Sequence, residues 1–383
     1  MPAPVTDVPA SDVSVLAHER KGPDGRKKKF IIGLMALVVV LYGAAISFAV
    51  ATMIGYRMTD ARNHLARMSP SLVEPGHTPP DPLPAQGDFV SIRVGVYVDS
   101  IADLSIRNSS WNGEVYVWFN WQGQKDLDPG GKLVLVDGSA VRKQLLDDYH
   151  GADGSNYQRY RITAKFEKAF NTVMVPVERP MLNIYLEDGS RDGHTLRYVA
   201  DDGSQISSRV QVAGYNIVGF ATVVKPHTYR SSYGDPRKPG DQHTTFSQYV
   251  VGISLEKIGL GIYFKVFLSL YAALALALAS FFAKPTTPSR FALPTASYFG
   301  VVANSYIVNS ILPPSNNFGM VDFVTTIGLG TIFLVVTISL TSNYLYDRKG
   351  ETHLALTMDR AMFFTVGLCC LVANIAIPLA VIW

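Results

Sequence analysis

Apolar residues along this chain follow two patterns, and each predicts a different kind of element. Five runs, at 30–56, 258–283, 291–312, 321–341 and 361–383, are almost continuously apolar, and each has about the 20 residues a helix needs to cross a bilayer. Between the first and second runs the pattern changes to short alternation. Segments at 90–98, 114–121, 132–137, 160–166, 181–187, 209–224 and 247–255 are rich in β-branched and aromatic residues. Clusters of Gly, Asp, Asn and Ser at 137–139, 151–156 and 187–193 separate them. Helical spacing is nowhere sustained there, so residues 88–257 read as a domain of short strands, an immunoglobulin-like β sandwich.

Lysines and arginines orient the runs. Arg20, Lys21, Arg26, Lys27, Lys28 and Lys29 precede the first, Lys284 and Arg290 fall between the second and third, and Arg348, Lys349 and Arg360 lie between the fourth and fifth. One crossing per run puts all of these on the cytoplasmic side. The β domain and Trp383 then lie outside the cytoplasm, as does the uncharged connector between the third and fourth runs. The first run exceeds the 7–15 apolar residues of a signal peptide, so it reads as an uncleaved anchor. Residues 1–29 read as a disordered cytoplasmic tail. Residues 57–87, with Pro70, Pro75, Pro79, Pro80, Pro82 and Pro84, read as an extended linker. The expected whole is a β plus α membrane protein: an N-terminal transmembrane helix, an extracytoplasmic sandwich, then a four-helix transmembrane domain at 258–383.

Composition narrows the function. With 34 basic and 31 acidic residues the net charge is +3, which excludes a strongly basic nucleic-acid binder. The two cysteines, Cys369 and Cys370, are adjacent in the last run, so there is no disulfide framework and no CxxC pair. HExxH, GxSxG and P-loop motifs are missing and the eight histidines are scattered, so neither an enzyme nor a cofactor or metal is expected.

Particular segments are similar to the pentameric ligand-gated ion channels, the Cys-loop receptor superfamily. SIRVGVYVDSIADLSIRNSSWNGEVYVWFNW resembles that family's first two strands, ending in its structural tryptophan, here Trp121. AFNTVMVPVERPMLNIYLE resembles the signature loop, whose core is here Val175, Pro176, Val177 and Glu178. The two bridging cysteines of the family would fall at Lys168 and Leu182, so the bridge is missing, as in prokaryotic members. VAGYNIVGFATVVKPHTYRSSYGD and FSQYVVGISLEK resemble the strands around the agonist-capping loop. PSRFALPTASYFGVVANSYIVNSILPPSNNFGMVD resembles the pore helix and outer connector, and its spacing needs no gap against the anion-selective branch. The likeness runs from Val90 to the C-terminus. Three features depart from it: the N-terminal anchor, Ser269 in place of a proline, and Pro294 one turn inside the pore helix.

The resemblance implies five copies of the chain around an axial pore in a lipid bilayer, opened by a small extracytoplasmic ligand of unknown identity. Steps of 100° per residue place Ala292, Ala296, Phe299, Ala303, Tyr306 and Ser310 on the pore face, with Phe299 as a dewetting constriction. Ser297, Asn304, Ser305 and Asn309 then face neighbouring helices, unless the face is rotated and Asn304 or Asn309 lines a wetter pore. Phe299 is also readable as ordinary helix packing. Pro288, Ser289 and Arg290 form the cytoplasmic mouth, where five Arg290 charges favour anions, or where Arg290 simply anchors the helix at the headgroups.

Ligand contacts are expected at Tyr116 and Trp118 on one side and at Tyr229 and Tyr233 on the other. An aromatic cage suits a cation, while Arg230, Arg237 and Lys238 in the same loop suit something anionic or polar. The family's aromatic-Pro-acidic binding segment is missing from 126–156. Coupling is expected where Pro176, Glu178 and Arg179 meet Pro313, Phe318 and Asp322, with Glu178→Ala uncoupling the pore without unfolding the chain. The competing reading is a non-conducting membrane receptor or scaffold, whose sandwich binds a partner while the helices only assemble.

Overall fold

The computed structural model describes residues 25–234, 243–259, 261–311 and 317–382. Pro313, Arg237, Lys238, Trp383 and the tail before Gly25 lie outside the described residues. The chain divides into two compact units, one of residues 51–267, 306–322 and 378–382, the other of 25–50, 268–305 and 323–377.

The first unit is built on two sheets. A six-stranded mixed sheet has the order β4 (Gly138–His150), β5 (Ser155–Glu167), β2 (Ser110–Gln122), β1 (Val90–Ser105), β7 (Leu196–Ala200), and β8 (Gln205–Ile206) also pairs with β1. A four-stranded sheet has the order β3 (Leu133–Leu135), β6 (Met181–Asp188), β10 (Thr244–Lys257), β9 (Tyr215–Tyr229). The strand β2 shows why these residues form a sandwich-like pair of sheets. Its burial alternates without a break, turning Trp111, Val115, Val117, Phe119 and Trp121 inward. They share one core with Leu182, Ile184 and Leu186 of β6 and with Tyr249, Val251 and Ile253 of β10. Each large apolar side chain buried this way contributes about 1.5–3 kcal/mol.

Among the described residues the ten strands exceed the seven segments that alternation predicts. The added β4 is an edge strand exposed over nearly its whole length, so it has no buried face to impose a period of two. The others, β7 and β8, are too short to show a pattern.

Five helices account for the apolar runs: α1 (Gly25–Arg67), α2 (Gly261–Ala279), α3 (Ser289–Ile311), α4 (Met320–Asn343) and α5 (Thr352–Ile382). Four of them, α1, α2, α4 and α5, are long and apolar enough to cross a membrane, which marks the chain as a membrane protein. The third expected span is helical, but α3 falls short of that hydropathy because Ser, Asn, Thr and Pro are spread through it. The first helix also outlasts its expected span. Residues 57–67 are helical rather than linker, since no Pro or Gly intervenes before Pro70.

Within the second unit, α1 meets α4 through a Tyr42–Thr331 hydroxyl pair at 2.6 Å and an edge-to-face Phe48–Phe323 contact. Pro294 does not break α3. Thr295 Oγ1 donates to Phe291 O and Ser297 Oγ to Leu293 O, both at 2.9 Å, the i−4 bonding by which hydroxyl side chains are satisfied within a helix.

Candidate functional site

Strand alternation turns Tyr116, Trp118 and Asn120 of β2 away from the core onto one face. Tyr97 of β1 and Tyr157 and Arg159 of β5 join them around an open hollow of about 450 Å³. The Tyr97 and Tyr116 rings are set edge to face, their centroids 6.3 Å apart. Opposite Trp118 in the register stands Gly95, and a Cβ there would collide with the indole, so only glycine permits the ring to lie flat on β1. Arg159 is paired with Asp147 at 3.0 Å, and Arg161 sits over the Tyr116 ring. The hollow is therefore an aromatic floor whose cations are already partnered.

Tyr229, the last residue of β9 in the other sheet, and Tyr233, in the turn that follows it, do not line this hollow within one chain. Tyr229 packs edge-on to Phe246, and its hydroxyl donates to Glu187 at 3.0 Å. Burial, and then the Glu187 charge, push that hydroxyl's pKa up. Glu187 is itself buried and also bonds His227 and Gln248, at 2.6 and 2.7 Å. Tyr229 is thus pinned, whereas Tyr233 is exposed at 77% and stands at the start of the capping loop.

The loop between β5 and β6 is closed at its base by a lysine. Lys168, where the sequence resemblance would place a cysteine, donates through Nζ to Met181 O at 2.8 Å and to Asn183 Oδ1, on either side of Leu182. Burial, reinforced by the positive charge of Arg67, lowers the Lys168 pKa to about 7, with Glu74, Asp137 and Asp60 opposing. A neutral amine has two N–H groups, which match the two acceptors.

The coupling residues are distributed differently from the sequence expectation. Glu178 is buried, accepts from Tyr215 Oη and pairs with Lys257 at 3.2 Å at the end of β10. Arg179 pairs with Glu256 at 2.6 Å and donates to Ile382 O. The loop reaches the outer connector through another residue: Met320 N donates to Val173 O at 2.7 Å. Asp322 accepts from Gly319 N at 2.8 Å and so caps the start of α4, while Phe318 is half exposed. The turn between β1 and β2 also reaches α3, where Arg107 donates to Ser310 O. Pro176 is buried within the loop.

The two faces of α3 are sharply unequal. Ala292, Ala296, Phe299, Ala303, Tyr306 and Ser310 are all exposed in the single chain. Ser297 and Asn304 are 1% exposed. Asn304 accepts from Ser269, which ties α2 to α3. Pro288 and Ser289 are exposed at the start of α3.

Arg290 departs from the expected mouth charge. It is fully buried and bidentate to Asp359 of α5, at 2.9 and 2.6 Å, with a third bond to Ala283 O. Ser342 Oγ donates to the same carboxylate at 2.8 Å. Its charge is neutralised within the chain rather than offered to an aqueous path.

Sequence reasoning missed Asp359, Lys257 and the Lys168 closure. Asp359 had a readable signal, a carboxylate one residue short of an apolar run, which calls for a cationic partner. The other two depend on long-range pairing that one strand's pattern does not carry. No family model matches the chain, and no curated protein matches it.

Proposed function

We propose that the chain is one subunit of a homopentameric ligand-gated ion channel of the Cys-loop receptor type. In this reading the N-terminus is cytoplasmic, the sandwich is extracytoplasmic, and α3 lines an axial pore with Phe299 as its hydrophobic gate. One observation carries it. The helix least able to face lipid on hydropathy presents one continuous face outward and keeps Ser297 and Asn304 buried against its own chain. Such a face suits a water-lined path shared between copies. Ligand would enter between the aromatic floor of one subunit and the Tyr229–Tyr233 edge of the next. Opening requires that it bind the open arrangement more tightly. Lys257, Glu178, Val173 and Met320 are the contacts suited to pass the change along. With Arg290 neutralised by Asp359, no anion preference is assigned to that residue.

Thiol labelling tests this in liposomes, using a background in which Cys369 and Cys370 are replaced by alanine. Water-soluble reagents need a thiolate, which forms only where water reaches. Cysteines at Ala296, Ala303 and Ser310 are expected to label far faster than one at Leu368, an exposed residue of the apolar α5. Equal, slow labelling at all four would remove the pore assignment. One observation favours the non-conducting receptor or scaffold: the exposed α3 face carries no fixed charge. Slow labelling would turn the balance to it.

A further inference from the structure

Residues 70–82 cross the outward face of the four-stranded sheet and are tied to β9 and its neighbours. Asp81 N donates to Thr228 Oγ1 at 2.8 Å, Arg230 donates to Pro79 O at 2.7 Å, and His243 meets Asp81 at 2.9 Å. Between this strap and the sheet lies a cavity of about 710 Å³, within the range that holds drug-sized molecules. Tyr185, Pro226 and Tyr229 form its floor, and Leu72, Val73 and several prolines form its roof.

The charges around the cavity leave a remainder. Arg67 pairs with Glu74 at 2.8 Å, Arg230 with Asp81 at 3.4 Å, and His227 with Glu187 at 2.6 Å. Lys225 is different. Its ammonium donates to two carbonyls, Ala66 O at 2.6 Å and Leu72 O at 2.9 Å, and among the described residues no carboxylate lies within ion-pair distance. Burial lowers its pKa, opposed only by the Glu74 charge, as expected of an ammonium desolvated without a counterion. An ammonium has three N–H donors, and two are committed.

We propose that this cavity binds a small organic monocarboxylate with an aromatic or apolar body, its carboxylate on Lys225 and its body between Tyr185, Tyr229 and the proline strap. The site lies on the opposite sheet from Tyr116 and Trp118, and it stands whether or not the protein conducts ions.

Calorimetric titration of the full chain in nanodiscs tests it, with benzoate as the probe and benzamide as its neutral isostere. Benzoate is expected to bind saturably and roughly tenfold or more tighter than benzamide, the scale of one charge-assisted contact. Lys225→Met should remove that preference, Lys225→Arg should keep it, and Tyr185→Ala should weaken benzoate binding while leaving Lys165→Met, on the other sheet, like wild type. Comparable binding of the two probes, no saturable benzoate binding, or an unchanged Lys225→Met variant would each overturn the proposal. Should Lys225→Met fail to fold, the probe pair on wild type and Lys225→Arg still decides it.

Discussion

Removing Arg290 should harm the protein more than removing Arg290 and Asp359 together. The pair is 0% and 2% exposed, with two parallel N–H to oxygen bonds at 2.9 and 2.6 Å. In Arg290→Met the Asp359 carboxylate keeps only the Ser342 hydroxyl as a donor and becomes a buried, unpaired charge. Breaking a buried pair this way costs about 3–5 kcal/mol, because desolvation remains while the attraction is gone. Arg290→Met with Asp359→Leu removes both charges and their desolvation, and such exchanges are close to neutral. The double variant should therefore melt above the single one, with a coupling energy of about 3 kcal/mol. Thermal melting of detergent-purified protein, with chromatography to follow assembly, reads both variants. A double variant as unstable as Arg290→Met would refute the argument. It would mean that the guanidinium packs rather than neutralises.

Other outcomes follow from single contacts. Stability should rise with pH between about 7 and 10.5: there the unfolded chain holds a proton on Lys168 that the folded chain, with its lowered pKa, has shed. Below about 7 both states are protonated and the slope vanishes; melting from pH 6 to 10 should show a gain of about 3–5 kcal/mol, and Lys168→Met should flatten it. Glu178→Ala is no clean probe of coupling, since it strands Lys257 and Tyr215 without their shared acceptor; it should cost about 3–5 kcal/mol, and Glu178→Gln, which keeps an oxygen there, less than half as much by the same melt. Gly95→Ala should destabilise by about 1–3 kcal/mol, because its Cβ must displace the Trp118 ring; unchanged melting would show that the indole moves freely.

Much of the architecture was legible because two periods dominate this chain. Unbroken alternation from Trp111 to Trp121 specifies β2 and its inward face, and residues 320–343 announce a helix by apolar length alone. The edge strand β4 was illegible for a physical reason: it buries nothing on either face, so its sequence is under no periodic constraint. Helical stepping put Ser297, Asn304 and Asn309 all off the pore stripe of α3; Ser297 and Asn304 are buried, but Asn309 is exposed. It said nothing of Arg290, whose meaning depends on Asp359, 69 residues away. The positive-inside pattern treats every arginine near a span as a free charge, and here one is consumed by a partner. The Lys168 closure was hidden for a similar reason, since its acceptors are a carbonyl and an amide rather than an opposite charge.

Whether the protein passes ions is decided by bilayer recording. Purified protein would be reconstituted as wild type and as Phe299→Ala, and each scanned across pH and small-molecule mixtures. Phe299 is 64% exposed in the chain, so losing its ring should spare the fold while opening a dewetted constriction. Stimulus-dependent openings are expected in wild type and spontaneous current in Phe299→Ala. Silence from both, with each protein folded and oligomeric, would contradict ion conduction.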